Sequence, residues 1–236
     1  MRIVSWNCNM AFREKKDKLL ELDPDIAIVQ ECESPAARGT WEEFSAWEWV
    51  GDNEHNGLGV FSRNRGRIER LEGTESASRY TLPVRTDLPI DILGVWAMND
   101  ETEHRKRYIG QVYTALDDYS EFVDSETVVA GDFNWNVRWD TSPKYPLYGD
   151  FADVVAELHD KALQGAYHVS ESCEFGNEDD PTFYMHKKRD RGYHIDYVFV
   201  PTVLADVHFD CWIGDYDEWI DLSGHMPVVV DTYLSV

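Results

Sequence analysis

Thr127-Val128-Val129-Ala130-Gly131-Asp132-Phe133-Asn134 is the stretch on which the reading of this chain turns. The apolar run from Thr127 to Ala130 reads as a strand. A sharp turn is expected after it, and Asp132 and Asn134, two residues apart, project to the same side. A carboxylate there orients or deprotonates a water, while the neighbouring amide holds that water or a phosphoryl oxygen. Alone, Gly-Asp-x-Asn is also an ordinary Asx-type turn.

Four further islands lie outward from it: Ser5-Trp6-Asn7, Gln30-Glu31, His194-Ile195-Asp196-Tyr197 and Ser223-Gly224-His225-Met226-Pro227. Each adjoins an apolar, strand-like run and sets an Asn, Glu, Asp or His at its end. Magnesium takes oxygen ligands and only one or two protein carboxylates. Glu31 suits such a ligand, and Asn7 offers an amide oxygen to the same ion or an N–H to phosphate. His194 and Asp196 are expected to share one face of a strand. An Asp196 that meets His225 would fix the imidazole tautomer and raise its pKa, leaving His225 as general base or transition-state stabiliser.

The pattern between the islands predicts strands at Arg2 to Met10, Asp25 to Cys32, Leu58 to Ser62, Ile68 to Leu71, Tyr80 to Val84 and Ile90 to Ala97, the last four as an antiparallel meander. Further strands are expected at Thr182 to Met185, Ile195 to Val200, Val207 to Trp212 and Pro227 to Leu234. Apolar residues at helical spacing predict helices over Phe12 to Leu22, Arg105 to Val123 and Phe151 to Ala162. The aromatic segment Pro35 to Gly51 has no clear period. Many strands with few helices give an α/β sandwich of two packed sheets. No linker or repeat divides the chain, so residues 1–236 are read as a single domain.

The 236 residues carry 22 Lys and Arg against 45 Asp and Glu, a net charge of −23. Such a chain repels polyanions at long range unless salt screens it. The excess fits either a saline cytoplasm or an acidic surface kept for solubility. Cys8, Cys32, Cys173 and Cys211 lack the spacing of a zinc or redox motif. No leader or membrane-spanning run is read, so a cytoplasmic protein with no membrane partner is expected.

The ordered set WN, QE, GDFN, HIDY and S-x-H-x-P resembles the endonuclease/exonuclease/phosphatase superfamily, which includes pancreatic-type DNases, abasic-site endonucleases, inositol polyphosphate 5-phosphatases and neutral sphingomyelinases. Gly57-Leu58-Gly59-Val60-Phe61-Ser62 and Pro181-Thr182-Phe183 add weaker likeness. The resemblance implies a four-layer sandwich of two mixed sheets flanked by helices. It implies Mg2+ or Mn2+ at Asn7 and Glu31, and catalysis by Asp132, Asn134, Asp196 and His225. Asn7, His194 and Trp96 would contact substrate. Two departures stand out. Gly224 replaces the carboxylate of the usual Ser-Asp-His, with Asp221 a distant substitute, and Trp96 replaces a phosphate-contacting His or Tyr.

The implied reaction is attack of water on a phosphoester, with DNA or RNA the first substrate expected. His104-Arg105-Lys106-Arg107 and Lys187-Lys188-Arg189 with Arg191 are candidate phosphate attractors, and Trp135 is a candidate base platform. The alternatives are a phosphatase or phosphodiesterase on a small metabolite or lipid headgroup, and a non-catalytic binding module with a decayed metal site. The oligomeric state is left open.

Overall fold

The computed structural model describes residues 1–63, 66–71, 78–141, 146–205 and 209–232. Its elements in chain order are β1 (Arg2–Asn7), α1 (Phe12–Leu20), β2 (Ile26–Cys32), β3 (Ala46–Asn53), β4 (Asn56–Ser62), β5 (Ile68–Arg70), β6 (Thr81–Thr86), β7 (Asp91–Trp96), α2 (Ile109–Asp118), β8 (Thr127–Asp132), α3 (Phe151–Asp160), β9 (Leu163–Gly165), β10 (Phe183–Tyr184), β11 (Gly192–Tyr193), β12 (Asp196–Pro201), β13 (Phe209–Ile213) and β14 (Val228–Thr232). Strands β13-β14-β1-β2-β4-β3 form one sheet, β5-β6-β7-β8-β12-β9 a second, and β10-β11 a small hairpin.

Alternation along the strands sorts the side chains into layers. Ile3, Ile28, Val60 and Val230 of the first sheet meet Ile92, Val128, Ala130 and Val198 of the second in a central core. The intervening Leu93, Val95, Val129 and Phe199 pack under Val112 and Leu116 of α2 and Val154 and Leu158 of α3. On the opposite surface Val4, Trp6, Val29 and Phe61 pack under Phe12 and Leu19 of α1. Each such side chain stabilises by about 1.5–3 kcal/mol when fully buried. The result is the expected four-layer α/β sandwich of mixed sheets.

One parallel pair sits inside each sheet, β1 beside β2 and β7 beside β8, with α1 and α2 as the crossovers that parallel pairing requires. Both outer neighbours, β14 and β12, run antiparallel to them. The carboxyl ends of β1, β2, β7 and β8 and the starts of β12 and β14 therefore lie along one edge of the sandwich. Asn7, Glu31, Trp96, Asp132, Asp196 and His225 all occur at those ends.

Several boundaries differ from the sequence pattern. β1 stops at Asn7, because Asn9, Met10 and Ala11 all adopt left-handed backbone with φ of 52°, 66° and 51°. The expected meander divides, with β4 in the first sheet and β5 to β7 in the second. The unassigned aromatic segment supplies edge strand β3, while Trp41 and Phe44 join the α1 layer. A 3-10 turn at His104–Lys106 precedes α2, which begins only at Ile109. Residues 207–208 and 233–234 of the last two expected strands lie outside the described residues. Among the described residues no helix is long and apolar enough to cross a membrane.

Candidate active site

β8 keeps its ladder through Asp132, which pairs with Trp96 on one side and Asp196 on the other. Gly131 permits this, since its φ is 151° and a Cβ would stand 1.8 Å from the Val95 carbonyl oxygen. The sharp turn comes at Asn134, whose φ is 52°. There the Asn134 N–H donates to Asp132 Oδ1 at 2.8 Å, and its Nδ2 donates to the Ala97 carbonyl at 3.3 Å. The turn thus brings the Asn134 backbone N–H to the Asp132 carboxylate, while the Asn134 side chain bonds Ala97.

Asn7 links Asp132 to the first sheet. Its Nδ2 donates to Asp132 Oδ2 at 3.0 Å and to Glu31 Oε1 at 3.1 Å, while its Oδ1 accepts from the Asn9 N–H. Simple alternation would turn Glu31 away from the inner face on which Gln30 lies. Instead β2 shifts register against β4 between Gln30 and Cys32, with Glu31 at φ 59°. This bulge re-aims the carboxylate toward Asn7.

The third component is the Asp196–His225 pair. His225 Nδ1 lies 3.1 and 3.0 Å from the two Asp196 oxygens, and because a carboxylate only accepts, Nδ1 carries the proton. Thr182 Oγ1 donates to Asp196 Oδ2 at 2.7 Å and accepts the N–H groups of Ile195 and Asp196. The His225 segment is tied to β1, as Ser223 Oγ donates to the Asn7 carbonyl and Trp6 Nε1 to that of His225. Phe183 packs on the imidazole with ring centroids 4.5 Å apart.

Ligand atoms of Asp132, Asp196 and His225 lie within 4.8 Å of one another. Burial, then the Asp196 charge, pushes the Asp132 carboxyl up to about 7 against the opposing influence of His225 and Asn7. Burial works against a charged His225, yet Asp196 and Asp132 together hold its imidazolium up to about 9. Below neutral pH the site therefore carries a protonated histidine beside an Asp132 that readily takes a proton.

His194 takes no part in these bonds. Its Nδ1 donates to the Asp180 carbonyl at 2.8 Å, its ring packs against Tyr167 and Tyr197, and burial lowers its pKa to about 4. Trp96 adjoins Asp132 in the ladder, but it is only 3% exposed and packs in the central core against Tyr80. Trp135 is likewise buried, with Nε1 donating to Asp140 Oδ1, so it offers no free face to a base. A Cβ on Gly224 would meet the Phe183 ring at 3.3 Å and the Tyr184 carbonyl at 3.4 Å. Asp221 is exposed, and its carbonyl accepts from Lys187 Nζ.

The exposed residues 185–191 join β10 to β11, and β10 adjoins the site through the bridge of Phe183 to His225. Within them Arg189 is paired with Asp217 and lies over the Tyr216 ring. Thr182 carries a bonding role that the sequence reading did not assign, and its place before Phe183 was the only signal of it.

A search of curated proteins finds no match. Among solved structures, the chain is similar to the 3'-5' exonuclease NExo from Neisseria meningitidis, at 17% identity and TM-score 0.71 over 98% of this chain and 99% of that one. An AP endonuclease from Archaeoglobus fulgidus gives 16% and 0.73 over 99% and 100%. Truncated TDP2 from Caenorhabditis elegans gives 13% and 0.65 over 99% and 97%. Likeness at such identities shows the fold alone. The model of the Endonuclease/Exonuclease/phosphatase family matches residues 4–215, from β1 past β13, and the chain belongs to that family.

Proposed function

We propose that this chain hydrolyses phosphodiester bonds of nucleic acid with Mg2+, Mn2+ being the alternative ion. The observation that carries the reading is a single knot of side chains drawn from both sheets, in which Asn7 bonds both Glu31 and Asp132 while Asp196 holds His225 beside them.

The donor set fits a hard divalent cation. Oxygen donors dominate, and burial followed by the Asp196 charge raises Asp132 to about 7, an unfavourable state of the carboxylate that a bound cation would offset. Glu31 would hold it, joined by Asn7 Oδ1 once that amide turns away from its present Nδ2 bonds to Glu31 and Asp132, and when bound it supplies Lewis-acid stabilisation of the phosphoryl oxygens. Asp132, in reach of ionisation at neutral pH, takes the proton from the attacking water. His225, held as imidazolium with Nδ1 on Asp196, donates to a phosphoryl oxygen rather than acting as a base. Asn134 fixes the Asp132 carboxylate through its backbone N–H. His194 and Trp96 are engaged elsewhere and are given no part in the reaction.

Two observations favour a polyanionic substrate. Exposed Lys187, Lys188 and Arg191 belong to the segment that follows Phe183, the residue bridged to His225, on an acidic molecule. The similar structures are described as an exonuclease, an AP endonuclease and a NExo variant bound to product DNA hairpin. Hydrolysis of bis(p-nitrophenyl) phosphate, plasmid DNA and abasic duplex with and without Mg2+, using Asp132→Ala as control, tests the reading. Turnover of the small ester but of neither DNA would move the assignment to a small-molecule phosphodiesterase. No turnover above the control would leave a binding module.

A further inference from the structure

Helix α1 begins without a cap of its own, since Ala11 in the N-cap position has left-handed backbone and no side-chain acceptor. The acceptor comes instead from beyond β2. Glu33 is 1% exposed, and its Oε2 accepts the Phe12 N–H at 2.8 Å. Its Oε1 accepts both the Arg13 N–H and Arg13 Nη1 at 3.0 Å. A carboxylate at a helix N-terminus satisfies orphan donors and complements the helix dipole.

The geometry around this bond is a closed ring. From Asn7 the chain passes through Asn9, Met10 and Ala11, all left-handed, to Phe12; from Glu31, left-handed at the bulge, it passes through Cys32 to Glu33. Asn7 Nδ2 to Glu31 closes the ring at one end, and Glu33 to Phe12 and Arg13 closes it at the other. Left-handed backbone is disfavoured for L-residues, so consecutive residues keep it only when both ends of the segment are held. Lys15 Nζ, bonded to the carbonyls of Cys8 and Asn9, and the Cys8 N–H, bonded to the Gln30 carbonyl, are further ties across the loop.

We propose that Glu33 is a positioning residue for the metal site: by stapling the exit of β2 to the start of α1, it holds Asn7 and Glu31 at the spacing a shared cation requires. The inference rests on the metal reading above. Supporting bonds one layer behind metal ligands are worth ~10–100-fold in affinity, and the shift expected for Glu33→Gln lies in that range. Gln keeps the size and one acceptor oxygen but loses the charge that gathers three donors.

The test titrates Mg2+ calorimetrically into metal-free wild type, Glu33→Gln and Glu33→Gln/Ala11→Gly, with hydrolysis measured on the same samples. Glu33→Gln is expected to weaken Mg2+ binding about tenfold or more, to raise the Mg2+ concentration for half-maximal rate equally, and to leave the rate at saturating Mg2+ within about twofold. Amide exchange at Phe12 and Arg13 should quicken. Glycine at position 11, free to adopt positive φ, should recover part of the affinity. If wild type and Glu33→Gln bind Mg2+ alike, the positioning role is overturned while the metal reading stands. If wild type itself binds no Mg2+, both fall. Should Glu33→Gln fail to fold, Arg13→Met, which removes one donor from the carboxylate, replaces it with the same expected direction, and unchanged Mg2+ affinity there also overturns the role.

Discussion

Asp132→Asn in the metal-free protein is expected to change stability in a way that depends on pH with a definite sign. The Asp132 carboxyl stands at about 7 in the folded chain, against an ordinary value of 3.8. Its folded pKa is raised, so the folded state binds the extra proton below that value, and the associated stability is lost as pH climbs toward 7. At 1.36 kcal/mol per unit, the loss between pH 5 and pH 8 is about 2 to 3 kcal/mol. Asparagine cannot ionise and escapes it. There is also a pH-independent cost, because the NH2 end of the introduced amide would face a donor: Oδ1 of Asp132 accepts from Asn134 and Oδ2 from Asn7 in the wild type. That cost is on the order of 1–3 kcal/mol.

The informative quantity is therefore the difference between variant and wild type at two pH values, in which the constant cost cancels. His225 contributes stability that is present below about 6.5 and lost as pH rises through about 9. Asp132 is one of the charges that hold the imidazolium up, so in the variant this contribution is lost at lower pH and the measured difference belongs to the coupled pair. Urea unfolding in EDTA at pH 5 and pH 8 reads the quantity directly. The variant is expected to gain about 2 to 3 kcal/mol relative to wild type on going from pH 5 to pH 8. An equal stability difference at both pH values would mean that Asp132 is ionised throughout, and the picture of a buried carboxylate poised near neutrality would be refuted.

Other expectations follow from the same contacts. Gly131→Ala drives a methyl to within 1.8 Å of the Val95 carbonyl oxygen at φ 151°, and should cost on the order of 3 kcal/mol or more, seen as a large fall in melting temperature. Asp196→Asn removes the largest charge favouring imidazolium on His225; the rate should fall roughly 10²–10⁴-fold, and the alkaline limb of the pH–rate profile should move down from near 9. Gly224→Asp meets only the Phe183 ring and the Tyr184 carbonyl, at 3.3 and 3.4 Å, so the protein should fold with slight loss of melting temperature while the Mg2+ requirement falls. A −23 charge tuned to salt should give unfolding free energies that rise toward molar KCl as repulsion is screened; a flat series would leave the acidity as a solubility feature.

Much of the central fold was legible because its strands are marked by two signals at once. Ile26-Ala27-Ile28-Val29 and Thr127-Val128-Val129-Ala130 are buried on both faces, so they read as continuous apolar runs, and each ends in a polar motif where the sheet stops. The weaker edges did not have this property. β3 is partly exposed along its length, and β9, β10 and β11 are only two or three residues long. The switch of sheet between β4 and β5 leaves no local mark, since antiparallel strands alternate in the same way in either sheet.

The site was legible as a list of residue types, and its geometry was not, because three of its placements depend on backbone that the side-chain pattern does not encode. Glu31 would face away from Asn7 in a regular strand and reaches it only through a bulge at φ 59°. Asp132 and Asn134 meet through a left-handed turn at Asn134 rather than through strand alternation. Glu33 looks like one more acid in an acidic chain, yet it is buried and bonded to three donors on a different element. Glu31 and Asn134 hold a conformation that glycine would adopt more readily, and Glu33 bonds to the helix start that follows left-handed Ala11. Local preference is overruled there by bonds between distant segments, and all of those bonds converge on the edge where the carboxyl ends of β1, β2 and β8 meet. Asn9, Met10, Ala11, Glu31 and Asn134 all carry positive φ along that edge, although Asp23, Ala162 and Ser172 do so elsewhere, and what sets the edge apart is that its strained residues are tied to one another by side-chain bonds between the two sheets.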